Sequence, residues 1–179
     1  GLSKAAKKSD RVAAEGLVGV STSDRAGAIV EVNSETDFVA RNEQFQAMVR
    51  AIAGLAPQAN GDVQALQGLS YPGSSGSVDD HLKEMIATIG ENMTIRRAAH
   101  LEAPGGIVAE YVHNKVSDGL GKIGVLVALE SDGDRDKLAA FGRQLAMHIA
   151  AAAPLALKEG ELDPAVIEKE RAIYLEQAK

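Results

Sequence analysis

The 179-residue sequence has no cysteine and no tryptophan, and only three phenylalanines and three tyrosines. Without cysteine there is no disulfide, no thiol nucleophile and no thiolate metal site. So few aromatics argue against a platform for stacking on single-stranded bases. Basic charge is in deficit as well: 19 Lys and Arg stand against 25 Asp and Glu, a net charge of −6. A direct nucleic-acid role, which calls for a basic footprint, is therefore not expected. No run of 18 apolar residues could span a membrane, and no charged-then-apolar opening reads as a signal peptide. These absences fit a cytoplasmic protein. The chain starts Gly1-Leu2-Ser3-Lys4 without Met and stops within a helical pattern, so a piece of a longer protein is expected.

What is present is ordinary globular composition, 45% hydrophobic and 25% charged. A chain of this size buries roughly 70% of its unfolded surface, enough for one domain or two small ones sharing a core. The polar, basic opening GLSKAAKKSDRV reads as a linker over residues 1–12. Two β-branched runs, Leu17–Ser21 and Ala28–Val32, flank a turn-rich segment and predict a hairpin. Phe45, Met48, Val49 and Ile52 carry helical spacing, with Pro57 expected just past the helix end. Residues 58–77 are loop-like, with one short helix near Val63–Leu66. A second amphipathic helix runs from Val78 to Ile89 and stops at Gly90. A strand is expected over Met93–Leu101, a second hairpin-like pair over Ile107–Val112 and Ile123–Leu129, and a long helix over Arg135–Ala153. The stretch from Pro164 is helical.

An internal repeat organises these elements. Shifted by 97 residues, Gly27–Pro57 aligns without a gap on Gly124–Pro154, pairing Ser34 with Ser131, Asp37 with Asp134 and Pro57 with Pro154. Both copies read strand, acidic turn, helix, proline. The expected fold is therefore α+β, with two related subdomains over 13–103 and 104–157, each a small antiparallel sheet with packed helices.

Signs of catalysis are sparse. Gly119-Leu120-Gly121-Lys122-Ile123-Gly124 matches GxGxxG in letters, but it leads into a strand rather than out of one into a helix. A hairpin turn is the better reading. No two of His81, His100, His113 and His148 have metal-ligand spacing, so no metal or cofactor of the protein's own is expected. His148 lies at the margin of the apolar face formed by Phe141, Leu145 and Ile149. Alone, it reads as a boundary histidine. An acid/base enzyme using His148 and a nearby carboxylate is the competing functional class.

The segment Ser34-Glu35-Thr36-Asp37-Phe38-Val39-Ala40-Arg41-Asn42 admits two readings. In one, Ser34 and Asp37 open a helix and Phe38 is a staple or core residue. In the other, Phe38 is a wedge for a partner's pocket, because the second copy keeps the acid but puts Arg135 in the aromatic's place.

SETDFVARN resembles the signature of the elongation factor Ts family, the nucleotide exchange factors of elongation factor Tu. KKSDRVAAEGLV, IGENMTIRRAAHL, GKIGVLVALES and LAMHIAAAAP resemble the same family, in order along the chain. The resemblance implies two related sheet-and-helix subdomains, with 158–179 as the first helix of a helical hairpin. It implies that Asp37, Phe38, Val39 and Ala40 form a tip inserted near the Mg²⁺ site of elongation factor Tu. It further implies that His148 meets a helix of the GTPase domain, and that Ile123 and Gly124 touch another domain of that partner. Such a protein promotes Mg²⁺ and GDP release and is not an enzyme. A fragment that only dimerises through its core is the structural alternative.

Overall fold

A computed structural model describes residues 2–178. Strands β1 (Glu15–Thr22) and β2 (Ala26–Ser34) form the first hairpin, paired from Glu15↔Ser34 to Thr22↔Gly27. β3 (Met93–Glu102) adds antiparallel to β2, with a bulge between Glu31 and Val32 that leaves both Arg96 and Arg97 near Glu31. A second, two-stranded sheet joins β4 (Gly106–His113) to β6 (Ile123–Glu130). Between them the two-residue β5 (Leu120–Gly121) pairs with Val18 and Gly19. The first sheet thus has the order β3-β2-β1-β5. It crosses the boundary expected at 103/104, because Leu120 completes the first core rather than the second.

Helices α2 (Glu43–Ala59), α3 (Val63–Gly68) and α4 (Val78–Ile89) cover one face of the first sheet. There Phe45, Met48, Val49 and Ile52 meet Leu17, Val30 and Val32, all at most 1% exposed. Burial of each large side chain stabilises the fold by roughly 1.5–3 kcal/mol before entropy is counted. Pro57 lies inside α2, not beyond it. Only the last turn loses a hydrogen bond there, and burial of Ala56 and Ala59 carries the helix on to Asn60, whose left-handed backbone ends it.

The two-stranded sheet stacks on the other face. A Cβ at Gly124 would sit 2.6 Å from Ile29 and 2.7 Å from Val18, so only glycine lets β6 approach this closely. On the far side of that sheet lies α5 (Arg135–Ala152), approaching through Gly142 and Ala146. The layers are helices, four-stranded sheet, two-stranded sheet, helix. The final α6 (Pro164–Gln177), capped by Asp163, buries no residue.

The opening segment departs from the expected linker. Residues Leu2–Ala6 form α1, packed on α4 with Ala5 buried. The Asn92 amide donates to the carbonyls of Arg11 (2.7 Å) and Ser9 (3.3 Å), tying residues 9–11 to the α4–β3 turn. A partner more than 80 residues away is invisible to local composition.

Candidate functional site

β2 runs into the acidic turn at Ser34, whose hydroxyl donates to the Thr36 carbonyl (3.0 Å). Glu35 accepts from the Asn92 N–H at 2.7 Å, with Arg11 3.5 Å away. Thr36 donates twice to the Glu91 carboxylate, from its N–H (2.9 Å) and its hydroxyl (2.6 Å). Asp37 turns to the opposite side, where its carboxylate accepts from the Lys122 ammonium. That hydrogen bond and the charge behind it hold the Asp37 carboxyl below the usual carboxylate range. The turn is gripped from both flanks.

Phe38 follows and is 80% exposed. The chain then makes one 3₁₀ turn, Val39–Arg41, held by Ala40 N–H to Asp37 (3.2 Å) and Arg41 N–H to Phe38 (3.1 Å). Val39 is 5% and Ala40 2% exposed, both within the core cluster, and Gln46 donates to the Ala40 carbonyl (2.9 Å). α2 itself is opened by Asn42, whose side chain accepts from the Phe45 N–H at 3.0 Å. Neither Ser34 nor Asp37 caps it. The helix-start reading of this segment therefore fails, and so does the reading of Phe38 as core. Of the four expected tip residues, only Asp37 and Phe38 present side chains outward; Val39 and Ala40 are their buried footing.

The second copy is built differently at the same place. Asp134 caps α5 directly, accepting from the Lys137 N–H (2.9 Å). Arg135, aligned with Phe38, turns back to Asp24 (2.5 Å) and the Gly106 carbonyl (3.3 Å). Its guanidinium holds the Asp24 carboxyl below the ordinary range.

Ile123 is 43% exposed and Gly124 half-buried. Both line a 380 Å³ cleft with Val18, Ile29, Arg97 and Lys122. Gly124 offers a partner backbone only, its missing side chain being the space that Val18 and Ile29 occupy. His148 is exposed on α5, about two turns from the 55%-exposed Phe141 and on the same side of the helix. Among the described residues no carboxylate lies within ion-pairing distance of His148. Lys122 and Glu91 were not legible as site residues. Lys122 stood inside the GxGxxG-like letters, which carried no hint of a partner 85 positions earlier.

The frame and turn define a class of protein: an α+β scaffold holding one exposed aromatic at a hydrogen-bonded tip. The model of the family described as elongation factor TS matches residues 35–179, and the chain belongs to that family. Over all 179 residues it is 60% identical to elongation factor Ts of Parvibaculum lavamentivorans, 58% to that of Rhizobium etli and 54% to that of Rhizobium meliloti. In each comparison the chain spans 58% of the relative's length.

Proposed function

We propose that this chain is the exchange core of an elongation factor Ts, acting in the cytoplasm on elongation factor Tu with Asp37–Phe38 as its inserted tip. The carrying observation is a large aromatic left in solvent on a turn whose neighbours are each hydrogen-bonded in place. Leaving Phe38 exposed gives up burial, and a rigid mount lowers the ordering cost of seating it in a partner. Exchange needs no covalent step. The factor binds the nucleotide-free GTPase more tightly than the GDP form, and linkage requires GDP to weaken factor binding equally. Phe38 entering an apolar gap shifts the elements that hold the partner's Mg²⁺, and loss of that ion removes the main positive charge facing the diphosphate. Ile123, the Gly124 backbone and His148 supply further contacts on other faces. The two strand–turn–helix copies are read as related subdomains, the first bearing the tip and the second extending the contact surface.

Release of labelled GDP from purified elongation factor Tu tests this. Phe38→Ala is expected to slow stimulated release by about tenfold, some 1.4 kcal/mol in the barrier. Its melting temperature should match the parent. EDTA should narrow the gap between them, since chelation does the tip's work. Unchanged release per folded molecule would refute the proposal, and self-association with no effect on release would favour the dimerisation reading.

A further inference from the structure

We propose that Lys122 is a positioning residue for the tip: its ammonium, mounted on the β5–β6 junction, fixes the Asp37 carboxylate and so aims Phe38. This rests on reading Asp37–Phe38 as the exchange tip.

Lys122 is held independently of the tip. Its N–H donates to the His113 carbonyl (3.1 Å), fixing the backbone between β5 and β6. Its ammonium also donates to the Gly16 carbonyl at 3.1 Å. Gly16 sits in the β1–β2 pairing opposite Asn33: φ is +121°, and a Cβ there would sit 2.2 Å from the Val32 carbonyl oxygen. A residue with a side chain could not occupy that position without displacing β1 from β2. The cation is thus pinned between β1 and the β5–β6 junction before Asp37 reaches it, with its side chain 30% exposed.

On the turn itself, Glu91 grips Thr36 and Asn92 grips Glu35, but both lie on one flank. Among the described residues, the opposite flank has a single side-chain tether at residue 37, and it is Lys122. Phe38 is the next residue. Its direction is set by the backbone at 37 and by the 3₁₀ hydrogen bonds that start there. Without the ammonium, residues 37 and 38 keep only the attachment at Thr36 before them and the buried Val39 and Ala40 after them, so the short span between is free to vary the direction of Phe38. Binding must then supply the ordering that the ion pair provides in the free protein.

Lys122→Met keeps the aliphatic stem while removing charge and donors, and Lys122→Arg restores both. Two readouts apply, amide hydrogen exchange at Ala40 and Arg41 and GDP release from elongation factor Tu. Each is taken on melt-verified protein, with Phe38→Ala alongside. For Lys122→Met, faster amide exchange in the turn is expected, with stimulated release about two- to tenfold slower, the equivalent of ordering one side chain at binding. Lys122→Arg should recover both. If Lys122→Met does not fold, Asp37→Asn removes the charge of the pair from the other side and is read by amide exchange alone, because Asp37 belongs to the tip itself. Unchanged protection at Ala40 and Arg41 would overturn the proposal. So would normal release by Lys122→Met where Phe38→Ala is slow. Lost protection with normal release by both variants would instead uphold the grip of Lys122 and refute the exchange-tip reading.

Discussion

The strand–turn–helix over Ala26–Ala59 and its counterpart over Ile123–Ala152 share a sequence skeleton but are stabilised differently. α2 buries Phe45, Met48, Val49 and Ile52 completely, whereas α5 buries only Gly142 and Ala146. The first helix is held by bulk and the second by close approach. Their turns diverge to match. In the second copy the acid caps the helix at once and Arg135 turns back along the surface to Asp24. In the first, helix formation waits until Asn42, and the intervening residues hold Phe38 out. A deep core beneath Val39 and Ala40 permits this: the turn can leave an aromatic in solvent because the residues after it are anchored.

The contrast breaks first at the cores. Phe45→Ala should cost about 3–5 kcal/mol, since a fully buried ring leaves a cavity. Phe141→Ala, at a side chain more than half exposed, should cost within about 1 kcal/mol, surface changes being mild. Denaturant unfolding of both variants decides it, and equal losses would mean that α5 is cored as densely as α2.

Glycines sharpen the comparison next. A Cβ at Gly142 would lie 2.7 Å from that of Ala109, so Gly142→Val should cost about 1–3 kcal/mol by overpacking. Gly54 on α2 has nothing within 4 Å of a Cβ, and Gly54→Ala should stabilise by up to ~1 kcal/mol through helix propensity. Thermal melts showing the same sign for both would contradict the close approach of α5 to its sheet.

The smallest effects lie in the two acids. Asp134→Ala removes a helix cap and should cost about 1 kcal/mol. Asp37→Ala removes no cap and should change melting less while loosening the turn. Asp24 and Asp37 both have carboxyls depressed below the ordinary 3.8 by Arg135 and Lys122. A depressed value stabilises above the unfolded-state pKa and is lost as pH falls through the folded one. Both pairs should therefore persist from neutral pH down to 3.8 and fail only in stronger acid, as NMR titration of the two carboxylates would show. Loss of either above 3.8 would refute the pairing.

Much was legible beforehand because its causes are local. Helical spacing located α2 and α4, turn formers located the first hairpin, and Gly90 stopped α4 where its left-handed backbone, at φ 92°, allows. The segment 119–124, read as a hairpin turn, instead holds β5 and the start of β6. The repeat singled out Phe38 by setting it against Arg135. Pro57 was misplaced because tertiary burial of Ala56 and Ala59 overrides a local breaker. The opening residues looked like a linker because Asn92, which docks them, lies far along the chain.

Residue order alone determined the α+β class, the family resemblance and the presence of an acidic turn with an aromatic in one copy only. These depend on local conformational preference and on letters that can be compared position by position. Only the folded chain decided which of residues 37–40 face outward, that β5 serves the first sheet, and that Lys122 meets Asp37. Those outcomes depend on which distant groups compete for the same burial and the same hydrogen bonds. Such competition is resolved between residues as far apart as 85 positions, and no local window contains both contestants.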